Sequence, residues 1–262
     1  DTSFGWRFIN PKLEAVYGVD GMGVTAENLV DKYSISRDDQ DAFSFRSHMK
    51  ATAARDAGRL AQEIVQVNIP RRKQDDLIFE HDEFIKPDTT VEILSKLRPA
   101  FRKEGGSVTA GNSSGLNDGS AALLLANESG LSSSGLTPLA QIISSAVVGV
   151  EPRIMGIGPV RASEIALKRA GITFDDLDVI ELNEAFSAQA LACIRAWGLD
   201  DDDSRINPNG GGISIGHPLG VTGSRILLAA ARQLERTGGK YGLVTLCIGV
   251  GQGYAVVIKN TQ

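Results

Sequence analysis

The sequence predicts an α/β layered domain, and three observations carry that prediction. From Pro138 onward, short apolar runs alternate with helix-length segments that stop at glycine. Gly-rich turns stand at the ends of several of those runs. The first hundred residues are by contrast polar and irregular, which suits an excursion over a core better than a core itself.

Taken in order, Thr25 precedes a short helical stretch over Ala26–Tyr33. Ser36 reads as the N-cap of a longer helix over Arg37–Ala57, with Asp39 at the capping-box position and Gly58 past its end. Val65, Val67 and Ile69 alternate with Gln66 and Asn68, the pattern of a half-buried strand. Arg71-Arg72-Lys73 follows, then an acidic loop to Pro87 and a short helix near Thr90–Leu97. Val108–Gly119 reaches a strand and a Gly-rich turn, and the apolar run Ser120–Ala126 predicts a strand covered on both faces. Ser129–Ser134 reads as a linker. Strand Leu139–Val148, helix Pro159–Ala170 with Gly171 as its stop, strand Val179–Leu182 and helix Ala185–Trp197 with Gly198 as its stop come next. A Gly-rich turn, a helix over Thr222–Glu235 and the strands Leu243–Cys247 and Tyr254–Lys259 complete the order. The segment from Val108 to Leu125 echoes that from Val244 to Ile258 in outline: strand, Gly-rich turn, apolar strand. If the two are duplicates, the partners of the first copy are expected upstream of Asp1.

The totals bound the function. A chain of 262 residues with 42% hydrophobic and 23% charged content is an ordinary globular protein of one large domain or two of moderate size. No apolar run approaches the roughly 20 residues that span a bilayer. A net charge of −5 argues against nucleic acid as the main partner. Asp1-Thr2-Ser3 shows no leader signal, and Lys259–Gln262 is not a peroxisomal address. Two cysteines are too few for a disulfide framework, and the three histidines lack ligand spacing. No metal is expected, and a reducing cytoplasm fits best.

Several residues carry chemistry. Cys247 ends a strand and enters Ile-Gly-Val-Gly, where a thiol can exchange a proton and the Gly249 N–H can face an oxyanion; a small buried hydrophobe reads equally well there. Cys193, mid-helix without a Gly turn, reads as core. His217 lies in Gly210–Gly220 beside Pro218, close to a helix N-terminus that favours anions; the competing reading is a loop-structuring histidine. Asn183 follows an apolar strand, where α/β sheets bind ligands, or serves as a plain N-cap. Glu184 reads as a first-turn carboxylate rather than a base. His48 and His81 read as solvated surface groups. Asn112, Ser113 and Ser114 can bond a ligand's amides, and Arg71-Arg72-Lys73 can meet a phosphate.

Together, Asn183-Glu-Ala-Phe186, Gly212-Ile-Ser-Ile-Gly-His-Pro-Leu-Gly220 and Cys247-x-Gly-x-Gly resemble the three C-terminal active-site blocks of the thiolases, in their usual order. Val108–Gly119 resembles the segment closing the thiolase N-terminal half. Gly5-Trp-Arg-Phe-Ile-Asn-Pro11, Tyr17-Gly-Val-Asp20 and Met155-Gly-Ile-Gly-Pro159 look closest to the degradative branch acting on β-ketoadipyl-CoA.

The resemblance implies a layered α/β/α/β/α fold of two similar halves, dimeric or tetrameric, that cleaves a 3-oxoacyl-CoA with free CoA and needs no cofactor beyond it. It divides the chain into a loop domain (1–106), closing strands of the first half (107–130) and the C-terminal half (137–262). By the same resemblance Cys247 exchanges a proton at the acetyl α-carbon. His217 activates a nucleophilic cysteine and, with a water held by Asn183, stabilises the thioester oxyanion, while the Gly249 N–H serves a second one. Ser114, Met22 and Phe186 are expected along the pantetheine, and Arg72 at the nucleotide end of CoA.

Two departures accompany the resemblance. The nucleophilic cysteine and most of the first half are expected to precede Asp1, so the isolated chain is expected to be inactive. Gly21 stands before Met22, where many biosynthetic thiolases have a histidine. A general 3-oxoacyl-CoA or acetoacetyl-CoA thiolase is the near alternative, with Arg7 as the candidate reader of a terminal carboxylate. A non-catalytic CoA-binding or assembly module is the alternative of another class.

Overall fold

A four-stranded sheet organises the second half of the chain. In the computed structural model, which describes residues 5–262, the helices and strands run α1 (Pro11–Tyr17), α2 (Met22–Tyr33), α3 (Arg37–Asp56), β1 (Val67–Ile69), β2 (Leu77–Phe79), α4 (Val91–Ser95), α5 (Glu128–Ser134), β3 (Ala140–Gly149), α6 (Gly158–Ala170), β4 (Val179–Leu182), α7 (Ser187–Ala196), α8 (Gly212–Ile215), α9 (Thr222–Thr237), β5 (Tyr241–Ile248) and β6 (Gln252–Asn260). Asp1-Thr2-Ser3 lies outside the described residues.

The sheet order is β3-β6-β5-β4. β6 is antiparallel to both neighbours, while β4 and β5 are parallel, with Leu182 opposite Thr245. β4 and most of β5 and β6 are covered on both faces, which explains why these strands are apolar without strict alternation, while the edge strand β3 leaves Ile142 and Val147 exposed. Val179, Val244, Val256 and Ile258 pack on Ile226, Ala230 and Leu234 of α9. Ile180, Leu182, Leu243 and Val257 share the opposite core with Ala162 and Ala166 of α6 and with Leu191 and Ile194 of α7. Each fully buried Leu or Ile there contributes about 1.5–3 kcal/mol. Leu29 of α2 and Phe43 of α3 join the same core, so the polar first part of the chain is packed onto the second.

The long helix α3 forms as its caps predict: Ser36 Oγ accepts from the Asp39 N–H at 3.0 Å. α2 begins a turn earlier than expected, at Met22 with Gly21 as N-cap. The half-buried strand expected over Val65–Ile69 shrinks to an exposed ribbon, β1, paired with β2 inside the supposed acidic loop. Ser129–Ser134 is helix rather than linker, because Asn127 Oδ1 caps the Gly130 N–H at 2.8 Å.

The largest correction concerns residues 108–126. Val108 and Thr109 are buried but form a tight turn in which Asn112 Oδ1 accepts from Thr109 N and Thr109 Oγ1 accepts from Asn112 N. Ser120–Ala126 is not a strand, and Leu124 and Leu125 are 79% and 71% exposed. Among the described residues no strand pairs with this run, and without a ladder partner an apolar run has neither hydrogen bonds nor cover. The echo between 108–125 and 244–258 therefore has no counterpart in structure. His48 is also corrected: it is 4% exposed, and its Nδ1 accepts from the Lys86 N–H at 3.3 Å.

Candidate active site

The site starts where β4 ends. Asn183 N donates to Thr245 O at 3.0 Å, extending the parallel ladder by one step and holding Asn183 at the carboxyl end of the sheet. Cys247 lies at the same end of the adjacent strand, two residues past Thr245. Neighbouring strands are about 4.8 Å apart, so both residues stand at the carboxyl end of the sheet, where α/β folds bind ligands.

Glu184 departs from its expected role. It is buried and accepts from Ser47 Oγ of α3 at 2.6 Å, Asn207 Nδ2 at 2.7 Å and the Ile213 N–H of α8 at 3.2 Å. The carboxylate therefore serves the first turn of α8 rather than α7, which begins at Ser187. It also pulls the Gly-rich loop against β4: a Cβ at Gly211 would lie 2.3 Å from Glu184 Cδ. Gly216 then turns the chain at φ 108°, in the region open to glycine, and aims the next residue at Asn183.

That residue is His217. Its Nε2 lies 3.3 Å from Asn183 Nδ2, and its Nδ1 lies 2.7 Å from Thr222 Oγ1. The Thr222 hydroxyl has one proton, which it donates to Pro218 O at 3.0 Å. It therefore accepts from Nδ1–H, leaving Nε2 as a lone pair that receives the Asn183 amide. The His217 N–H is shared between Asn117 Oδ1 at 3.2 Å and Gly115 O at 3.3 Å, so the 111–119 turn steadies the loop from the other side. Burial, with the Arg225 charge adding to it, brings the imidazole pKa down to about 4, so the ring is neutral at pH 7. Asn183 Oδ1 is buried without a hydrogen-bond partner among the described residues, an acceptor left unsatisfied.

Cys247 is 8% exposed, and burial pushes its thiol up to about 12, so it is a protonated proton donor. The hairpin after it carries Gly249 and then Val250 at φ 67°, a left-handed conformation rare for a β-branched side chain. Cys193 is core, as its sequence context predicts: its thiol donates to Gly156 O at 3.3 Å, and burial raises its pKa strongly.

The other expected positions divide. Phe186 caps α7 and stacks edge-on against Phe101, with ring centroids 6.0 Å apart. Ser114 N donates to Ala185 O at 3.0 Å, so Ser114 lies beside the connection from β4 to α7. Met22 opens α2 beside a pocket that also includes Val250. Arg72 sits on the exposed turn of the β1–β2 ribbon, with no hydrogen bond or ion pair among the described residues. Sequence reasoning missed Thr222, Asn117 and Arg225; only the place of Thr222 at the start of a predicted helix hinted at a role.

A neutral imidazole paired to an amide at the end of β4, with a protonated thiol at the end of the adjacent parallel β5, gives an α/β framework that carries groups suited to proton transfer. The chain belongs to the thiolase family: residues 7–129 match "Thiolase, N-terminal domain" and residues 136–260 match "Thiolase, C-terminal domain". The first match gives no support to an N-terminal half that is largely missing. The chain is 53% identical over 260 residues to the beta-ketoadipyl-CoA thiolase of Acinetobacter baylyi, covering 99% of this chain and 65% of that protein. It is 50% identical to the 3-oxoadipyl-CoA/3-oxo-5,6-dehydrosuberyl-CoA thiolase of Escherichia coli, with the same coverage of 99% and 65%. Human mitochondrial 3-ketoacyl-CoA thiolase in complex with CoA superposes with a TM-score of 0.86 at 46% identity, over 92% of this chain and 59% of that one. The chain thus spans less than two thirds of the length of these relatives.

Proposed function

We propose that this chain supplies the proton-transfer and oxyanion groups for thiolytic cleavage of a 3-oxoacyl-CoA by CoA, with β-ketoadipyl-CoA as the preferred substrate. The observation that carries the reading is the Asn183–His217–Thr222 relay at the end of β4, with the protonated Cys247 at the end of the adjacent strand. The neutral His217 Nε2 takes the proton of an attacking thiol. The imidazolium that forms is stabilised at Nδ1 by Thr222. As the C2–C3 bond of the substrate breaks, the electron pair is left on the acetyl α-carbon, and the Cys247 thiol delivers its proton there. The Gly249 N–H and a water on Asn183 Oδ1 stabilise the thioester oxyanions. Substrate choice rests on the likeness to relatives named for β-ketoadipyl-CoA and 3-oxoadipyl-CoA.

An acyl-accepting thiol is also required, and neither cysteine of these 262 residues suits that role: Cys193 is sealed in the core, and Cys247 holds the proton. Thiolysis by the 262-residue chain alone is accordingly expected to be absent, and detectable turnover would overturn this assignment. For the natural gene product that carries these residues, the test is hydrogen exchange at the α-carbon of acetyl-CoA in deuterated water. Cys247→Ala should abolish exchange while CoA still binds; unchanged exchange would remove Cys247 from the mechanism. The reading as a non-catalytic CoA-binding module is carried by no observation at the site.

A further inference from the structure

We infer that Arg153, anchored by Asp20, reads the terminal carboxylate of the acyl chain. The inference rests on the thiolytic reading above and adds a residue to it. A shallow surface depression lies against the Cys247 hairpin, lined among others by Trp6, Tyr17, Asp20, Met22, Arg153 and Val250. Two of these tie it to the site: Val250 follows Cys247 by three residues, and Met22 opens α2. Trp6, Met22 and Val250 give the pocket apolar walls that suit methylene groups. Arg153 is the cation among the residues lining it.

The guanidinium is held in place rather than free. Its Nε donates to Asp20 Oδ2 at 2.8 Å, and Asn28 Nδ2 donates to the same oxygen at 2.8 Å and to Arg153 O at 2.8 Å. The methylene stem passes over Gly18, where an added Cβ would meet Arg153 Cδ at 3.6 Å. One of five N–H donors is thus engaged by Asp20. The two terminal nitrogens make no hydrogen bond among the described residues, which leaves the planar fork that matches a carboxylate bidentately. Burial works to raise the Asp20 pKa. The bonds from Arg153 and Asn28, with the charges of Arg153 and Arg102, nevertheless hold it below its ordinary value, so the anchor stays ionised. Arg153 is 55% exposed and so remains open to a ligand.

A ligand with an apolar chain ending in a carboxylate fits these walls and this cation; one ending in a methyl group would leave the guanidinium unmatched. Arg7, the candidate from sequence, is exposed, has its guanidinium 6.0 Å from the Phe8 ring, and is not among the residues lining the pocket.

The test measures thiolysis by the natural gene product carrying this chain with 3-oxoadipyl-CoA and with 3-oxohexanoyl-CoA, equal in chain length but ending in a methyl group. The unsubstituted protein is expected to favour the first. Arg153→Gln should raise KM for 3-oxoadipyl-CoA by about 10- to 100-fold, leaving kcat/KM for 3-oxohexanoyl-CoA within about twofold. Arg153→Lys, which keeps the charge and loses the fork, should fall between. Asp20→Asn should raise the same KM by about 3- to 10-fold by loosening the guanidinium. Equal losses on both substrates would mean a structural role, and no loss on either would mean no contact; each overturns the assignment. If the unsubstituted protein cleaves neither substrate, or both with equal KM, the failure lies in the functional reading, and the inference falls with it.

Discussion

Thr222→Val isolates the part of the site that sets the chemistry of His217. The substitution is nearly isosteric and removes one hydroxyl, which accepts from Nδ1–H at 2.7 Å and donates to Pro218 O at 3.0 Å. Thr222 is fully buried, so water does not readily replace the lost oxygen. Leaving buried groups unpaired should cost about 1–3 kcal/mol of stability. In the proposed reaction the Nδ1–H bond strengthens when Nε2 gains its proton, because it becomes charge-assisted. Loss of about 1.5–3 kcal/mol at that stage lowers kcat by about 10- to 150-fold. The first assay is long-range nitrogen–proton NMR of the His217 ring, which should find the proton on Nδ1 at pH 7 and a mixture of tautomers in the variant. The second is kcat in the natural gene product. Thr222→Ser keeps the hydroxyl and should stay within about threefold. A proton found on Nε2 in the unsubstituted protein, or a valine variant within twofold in kcat, would refute the relay.

Three further outcomes follow from the same geometry. His48 is brought down to about 4 by burial, with the Lys86 charge adding to it, so the folded protein resists protonating it. Its contribution is whole above the unfolded value of about 6.5 and is lost as pH falls from there towards 4, up to about 3 kcal/mol in all; the stability gap between His48→Gln and the unsubstituted chain should change by that amount across the window, and a pH-independent gap in urea midpoints would contradict it. Gly211→Ala drives a Cβ to 2.3 Å from the Glu184 carboxyl, whereas a Cβ at Gly220 meets nothing within 4 Å; the first should destabilise by about 2–3 kcal/mol and the second by under about 0.5 kcal/mol, and equal urea midpoints would refute the close-approach argument. Cys247 is pushed up to about 12; labelling by a thiol-reactive dye at pH 7 should be about 1000-fold slower in the folded chain than in urea, and rapid labelling of the folded chain at Cys247 would show a thiolate there.

Local signals are legible in the sequence, and cover is not. Ser36, Gly171 and the alternation of strand and helix after Pro138 act within a few residues, and those elements form where their residues direct. Cys193 was legible as core because no turn or glycine adjoins it. Ser120–Ala126 is not the strand its pattern predicts, because a continuous apolar run signals a strand only when other elements cover it, and cover is a property of distant residues. Asn183, His217 and Cys247 stood out because each adjoins a Gly or Pro turn. Glu184 is not in the first turn of α7, which starts at Ser187, and its carboxylate accepts from the Ile213 N–H instead. Thr222 and Arg153 gave little local sign: the role of the first depends on a loop folding back onto a helix start. That of the second depends on Asp20 and Val250, which only the tertiary fold brings beside it.

The bonds of Glu184 bear on how this chain can be recombined with its relatives. Ser47 of α3 and Ile213 of α8 meet on one carboxylate at the end of β4. A crossover placed between α3 and β4 therefore separates a hydroxyl from the acid that fixes the histidine loop. Chimeras built that way should fold with full site geometry only when both parents carry a hydroxyl and a carboxylate at these two positions. The polar first hundred residues are thus inherited together with the histidine loop, and a pair of parents matched at Ser47 and Glu184 is the natural starting point for shuffling.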